Sequence, residues 1–228
     1  MTEFVIPPPP VAAVPVVGGG LFPVRRVYCV GRNYAEHARE MGHDPNREPP
    51  FFFGKPADAL VTGGADTPYP AHTQDFQFEV ELVVALAEGG SNIAPESVPG
   101  KIFGYAVGID MTQRDVQALA KKAGRPWDMS KGFDRSAPIG DIVPAARAGR
   151  PSRGAITLTV NGVEKQRGDI GDLIWPIADA IAYLSQWVEL KAGDLIFTGT
   201  PSGVGPVVRG DLLEGEVAGI GKVSTRIA

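Results

Sequence analysis

Glycine and proline interrupt this chain every few residues, and that punctuation limits its fold more than any other feature. Of 228 residues, 29 are Gly and 21 are Pro. Proline removes a backbone donor and clashes with the preceding helical turn, while glycine weakens both helix and strand interiors. Short apolar runs survive between the interruptions and predict strands at 24–30, 51–53, 78–86, 103–110, 155–160, 195–198, 212–217 and 222–227. Asn161-Gly162, between ITLTV and VEKQR, signals a hairpin, because a tight two-residue turn takes positive φ at both positions. Three stretches read as helices. Asn33 caps one over 34–41 that Gly42 ends. Thr112 and Asp115 form a capping-box-like pair opening one that runs to Lys122, ahead of Gly124 and Pro126. Pro176 opens the third, with Ile177, Ile181 and Leu184 on one face. The expectation is an α+β fold, mostly β, with residues 25–228 as a single domain.

Residues 1–24 read as an extended, proline-rich arm lying on the surface or against a partner subunit. The uncharged stretch from Val5 to Val24 has the length of a membrane span. Pro7, Pro8, Pro9, Pro10, Pro15 and Pro23 prevent a continuous helix there, and Glu3 stands where a signal peptide carries positive charge. A net charge of −4 gives no electrostatic footprint for nucleic acid or an anionic membrane. The basic cluster Lys121, Lys122 and Arg125 reads as a solvated helix end. Cys29 is the single cysteine, so no internal disulfide forms, and its place in the apolar run VYCV marks a core thiol. A reducing, cytoplasmic setting is expected.

The segment from Phe78 to Val84 is the most informative. Residues two apart on a strand share a face, so Glu79 and Glu81 project together from an otherwise apolar run. Two carboxylates side by side repel, and burial makes ionisation costly; a divalent cation between them removes both problems. All-oxygen ligands favour Mg²⁺, Mn²⁺ or Ca²⁺ over zinc. A half-solvated strand face with alternating charge is an equally good reading of this segment alone. Asp110 ends another apolar strand and would complete a three-carboxylate site. His37 and Glu40, three apart on the first helix, are spaced for an imidazole–carboxylate base, although that spacing is commonplace on polar helices. His43 and His72 add no zinc-ligand spacing. The loop from Thr198 to Gly205 can present N–H groups and the Thr200 hydroxyl to an anion, or be a tight turn.

Five segments together resemble the fumarylacetoacetate hydrolase family, in the family's order: Gly31–His37, Phe78–Leu82, Gly108–Thr112, Lys131–Asp134 and Thr198–Pro201. The resemblance implies a mixed β-sandwich roll with short helices, a homodimer, and one Mg²⁺ or Mn²⁺ per subunit on Glu79, Glu81 and Asp110. It implies that His37 with Glu40 activates water on a lid that orders with substrate. It further implies that Lys131 stabilises an oxyanion or enolate, and that Gln117 and Thr200 hold substrate oxygens. Within the family, the segment from Met41 to Leu60 and the proline-rich start look like fumarylpyruvate hydrolases of gentisate degradation. The implied reaction is hydrolysis of a carbon–carbon bond in an acylpyruvate, with fumarate and pyruvate as products. Arg32 and Arg114, and more weakly Lys55, are candidates for the distal fumaryl carboxylate. The rival readings are a general acylpyruvase or oxaloacetate decarboxylase on the same scaffold and, from another class, a non-catalytic metal-binding scaffold.

Overall fold

A computed structural model of the chain describes residues 4–36 and 48–228. His37, Glu40, His43 and most of the helix expected over 34–41 lie outside the described residues. A six-stranded mixed sheet runs in the order Val143–Pro144, Ile102–Ile109, Val80–Leu86, Asp194–Phe197, Arg26–Gly31, Phe51–Lys55. A four-stranded antiparallel sheet follows the order Val163–Asp169, Ala155–Val160, Leu212–Val217, Gly221–Arg226. Its first two strands form the expected hairpin, and Asn161 and Gly162 take φ of 51° and 77°. The mostly β, mixed-sheet architecture is the expected one, built from open sheets.

Val80–Leu86 is buried along its whole length because both of its faces are covered. Val80, Leu82, Val84 and Leu86 join one core with Ile156, Leu158 and Leu213 of the four-stranded sheet and Ile181 and Leu184 of the helix Ile177–Trp187. Val83 and Ala85 join a second core with Cys29, Leu195, Phe197, Val14 and Phe22. Each Val, Leu, Ile or Phe among them contributes roughly 1.5–3 kcal/mol when fully buried. A strand covered on both faces excludes the half-solvated reading of the glutamate pair.

Three expectations change. The strand expected over 78–86 is two strands, Phe76–Phe78 and Val80–Leu86, which meet at Glu79 and belong to different sheets. Its antiparallel neighbour changes sheet at the matching place. Ile102–Ile109 pairs with Val80–Leu86, Thr112–Gln113 pairs with Phe76–Phe78, and Asp110 and Met111 lie between. Thr112 therefore sits in a strand and bonds the Asp110 carbonyl, and the helix starts later, at Arg114–Lys122. Asp115 instead accepts from Thr73 Oγ1 and the Gln74 amide, so no capping box forms. The proline-rich start also divides. Residues 4–11 are exposed, but Ala13–Pro15 pairs with Leu21–Pro23, which buries Val14 and Phe22 in the second core. Among the described residues no helix is long and apolar enough to cross a membrane.

Candidate active site

The double change of sheet explains where the carboxylates stand. Glu79 and Asp110 occupy facing corners, joined by the Asp110 amide donating to the Glu79 carbonyl at 2.8 Å. Glu81, two residues on, points to the same side as Val83 and Ala85. One oxygen from each of the three lies within 4.8 Å of the others, and all three residues are buried. Glu81 Oε2 accepts from the Gly199 amide at 2.7 Å. Burial, and then the charges of Asp110 and Glu79, push the Glu81 carboxyl well above the usual range.

Three cations brace this cluster. Lys131 ends the short helix Asp128–Lys131 and donates to Glu79 Oε2 at 2.8 Å and Asp110 Oδ2 at 2.7 Å. Burial pulls its pKa down, but Asp110 and Glu79 outweigh that and hold it above the ordinary lysine value. Arg114 opens its helix and donates to Glu79 Oε1 at 2.6 Å, to Gln77 Oε1 and to Gln117 Oε1. Lys55, at a strand end, is buried and donates to the carbonyls of Met111, Lys131 and Ser136. Its Nζ stands 2.8 Å from Asp110 Oδ1, but its three protons are spent on those carbonyls. The contact is ionic rather than a hydrogen bond, and Asp110 Oδ1 has no hydrogen-bond partner among the described residues. A buried carboxylate oxygen that accepts no hydrogen bond, beside a glutamate held toward its neutral form, fits a hard divalent cation bound through oxygen. Such a cation lets Glu81 ionise and gives Oδ1 a ligand role.

The glycine-rich loop is fixed from both sides. Thr198 Oγ1 donates to the Leu82 carbonyl at 2.9 Å, and Asn33 Nδ2 donates to the Thr198 carbonyl at 2.8 Å. Gly199 has φ of 104°, and an added Cβ would lie 2.7 Å from Asn33 Cβ, so only glycine fits here. Gln166 escaped the sequence reading. It is buried, accepts from the Val80 amide at 2.9 Å, and donates to Thr200 Oγ1 at 2.8 Å and the Pro201 carbonyl at 2.9 Å. It thereby ties Thr200 to the strand that carries Glu81.

Around this core lies a narrow pocket whose lining includes Glu79, Glu81, Lys131, Gln117 and Thr200. Arg32, Lys121 and Trp127 form other parts of its wall. A wider cavity of about 610 Å³ shares Arg32, Phe53 and Trp127 with it. A separate apolar cavity of about 350 Å³, between Ile102, Tyr105, Leu173 and Ile177, shares no lining residue with the carboxylate site. The structure thus gathers Glu79, Glu81, Asp110, Lys131, Gln117, Thr200, Arg32 and Arg114 in one place. Lys121, expected as a solvated helix end, is half-buried in the pocket wall. Burial, then Arg114 and Arg32, lowers its pKa to about 8. His72 is exposed, on a loop. Cys29 is buried, as expected, and burial pushes its thiol up.

A mixed β fold enclosing three buried carboxylates, with cations behind them and a pocket in front, defines a metal-dependent enzyme of the fumarylacetoacetate hydrolase type. The fumarylacetoacetate hydrolase C-terminal domain matches residues 26–228, and the chain belongs to that family. It is 49% identical to the fumarylpyruvate hydrolase of Pseudomonas aeruginosa, whose crystal structure was solved in complex with Mn²⁺ and pyruvate. The TM-score is 0.97, with 99% of each chain covered. It is 41% identical to a fumarylpyruvate hydrolase from Ralstonia sp., covering 81% of this chain and 95% of that one. It is also 43% identical to an oxaloacetate tautomerase of Escherichia coli, covering 84% and 88%.

Proposed function

We propose that this chain hydrolyses the carbon–carbon bond of an acylpyruvate, converting fumarylpyruvate to fumarate and pyruvate. The observation that carries the reading is the buried cluster of Glu79, Glu81 and Asp110, whose two glutamates line a pocket that Arg32, Arg114, Lys121 and Lys131 also line. Likeness to the Pseudomonas enzyme that binds Mn²⁺ and pyruvate supports it. Glu79, Glu81 and Asp110 would hold Mn²⁺ or Mg²⁺. When bound, such a cation supplies Lewis-acid stabilisation of negative charge on substrate oxygens.

The chain's own residues do the rest. Gln117 and Thr200 orient the substrate oxygens, with Gln166 fixing the Thr200 hydroxyl. Water adds to the carbonyl carbon beyond the methylene, and His37 with Glu40 takes its proton. The bond from that carbon to the methylene breaks, and its electron pair leaves with the pyruvate enolate. Lys131, charged and held at the cluster, faces the negative charge as it forms. The proton returns to the methylene carbon, which becomes the methyl of pyruvate, and the acyl part leaves as fumarate. A cytoplasmic homodimer acting in gentisate degradation completes the reading.

Oxaloacetate chemistry is the second reading, favoured by the 43% identity to the oxaloacetate tautomerase. Fumarylpyruvate, acetylpyruvate and oxaloacetate, assayed side by side with Mn²⁺ or Mg²⁺, separate the two. Stoichiometric fumarate and pyruvate from fumarylpyruvate support the proposal. Turnover of oxaloacetate alone overturns it.

A further inference from the structure

The cations around the pocket fall into two groups. Lys55, Lys131 and Arg114 are each spent on the carboxylate cluster or on nearby carbonyls and amides. Arg32 and Lys121 make no hydrogen bond and no ion pair among the described residues, yet they line the same pocket. Arg32 Nε is buried without a partner.

Both cations rest on aromatic rings, and the nearest carboxylate charges, Glu48 for Arg32 and Glu79 for Lys121, act on them without forming an ion pair. The Arg32 guanidinium lies 5.2 Å from the Phe51 ring centre, and Lys121 Nζ lies 5.1 Å from that of Trp127. Phe51 and Trp127 meet edge to face, 5.3 Å apart, so the two cations lean on one aromatic unit. A ring face positions a cation while leaving its donors free for an anion. The backbone is adapted to this arrangement. Arg32 takes φ of 55°, in the left-handed region that side chains other than glycine seldom occupy. Gly31 beside it leaves room for the Phe51 ring, which an added Cβ would meet at 2.1 Å.

We propose that Arg32 and Lys121 form a two-cation seat for the second carboxylate of a dianionic substrate, with the Trp127 ring as its wall. This deepens the acylpyruvate reading and rests on it: the carboxylate cluster takes the 2-oxo acid end and the seat takes the far end. Arg114 is the weaker candidate, because each of its three nitrogens already serves Gln77, Gln117 or Glu79. A substrate lacking the distal carboxylate leaves two neighbouring cations uncompensated, and selectivity follows from that penalty. Arg32 and Lys121 share the load.

The test uses the Mn²⁺-loaded full chain and the variants Lys121→Met, Lys121→Arg and Arg32→Gln. The ratio of kcat/KM for fumarylpyruvate to that for acetylpyruvate should fall at least about tenfold in Lys121→Met and Arg32→Gln, the scale of one lost charged contact. The fall should come through KM, and Lys121→Arg should retain most of the ratio. A merely structural role would slow both substrates together and leave the ratio unchanged. Calorimetric binding of fumarate and of pyruvate gives a readout independent of turnover. Fumarate affinity should drop about tenfold in Lys121→Met, and pyruvate affinity by much less. An unchanged substrate ratio, or equal losses for fumarate and pyruvate, overturns the seat. Failure of the wild type to cleave any acylpyruvate overturns the proposed function instead, and the binding measurement still decides the seat.

Discussion

The two ends of this pocket handle charge in opposite ways. At the inner end, Glu79 and Asp110 share Lys131, Arg114 braces Glu79 and Lys55 stands against Asp110. At the outer end, Arg32 and Lys121 rest on aromatic rings and make no hydrogen bond or ion pair among the described residues, with Glu48 and Glu79 acting on them only at longer range. Paired, buried charges are preorganised and costly to disturb, since removing one partner strands the other. Unpaired, half-buried cations are available. The inner end is therefore suited to hold a metal and do chemistry, and the outer end to choose what reaches it.

The largest way to break this comparison is at Glu81. Glu81→Gln should lower turnover by about a thousandfold or more, on the scale of losing a preorganised electrostatic group. The same change should stabilise the metal-free protein at neutral pH. Burial, Asp110 and Glu79 raise the Glu81 carboxyl above its ordinary value of 4.5 in the folded state. A raised folded-state pKa gives stability that is complete below the unfolded value and lost as pH rises through the folded one. Metal-free wild type should thus lose melting temperature from pH 4.5 upward, and Glu81→Gln should lose less. Thermal melts across pH, after chelation, read this directly; a variant that melts lower than wild type at pH 7 contradicts it.

Lys131→Met follows, with a loss of about 10²–10³ in kcat, the usual cost of removing one charge-stabilising donor. It also takes one of two cations from each of Glu79 and Asp110, leaving Arg114 and Lys55, so the metal-free variant should melt below wild type. Wild-type kcat in this variant would leave Lys131 a purely structural ion-pair partner.

A smaller effect is expected from Gln166→Leu. It removes the acceptor for the Val80 amide and the donor to Thr200, at about 1–3 kcal/mol for each buried group left unsatisfied. Lower melting temperature and a several-fold rise in KM should appear together. Unchanged KM would show that Thr200 is placed without it.

The smallest effect is a pH dependence that sharpens the outer end. Lys121, with Arg114, Arg32 and Lys131 as like charges and Glu79 as its counter-charge, has its pKa lowered to about 8. It is charged below that value and neutral above it. KM for fumarylpyruvate should rise a few-fold from pH 7 to pH 9, in proportion to the charge lost. In Lys121→Arg, which keeps its charge, the profile should be flat. Parallel profiles for the two proteins would remove Lys121 from the account.

Much of this was legible in the residues. The alternation at Glu79 and Glu81 put two carboxylates on one side, Asp110 closed a strand beside them, and Asn161-Gly162 gave its hairpin. Periodicity could not show that both paired strands change sheets at Glu79 and Asp110, because a corner in a sheet depends on which partners cover each half. Thr112 and Asp115 have the spacing of a helix cap, but pairing with Phe76–Phe78 took Thr112 into a strand. Lys121 looked like an ordinary helix end because the ring that shelters it, Trp127, lies beyond the helix stop at Gly124 and Pro126. Gln166 carried no local signal: a buried glutamine in VEKQR is visible only once the strand's other face is known to meet Thr200.

Fumarylpyruvate hydrolysis by chelated protein, titrated with Mn²⁺, tests the central claim most directly. Wild-type activity should rise from background to a plateau near one Mn²⁺ per chain, releasing equal amounts of fumarate and pyruvate, and Glu81→Gln should stay at background throughout. Full activity in metal-free wild type, or in Glu81→Gln, would contradict the assignment of the Glu79, Glu81 and Asp110 cluster as the metal centre.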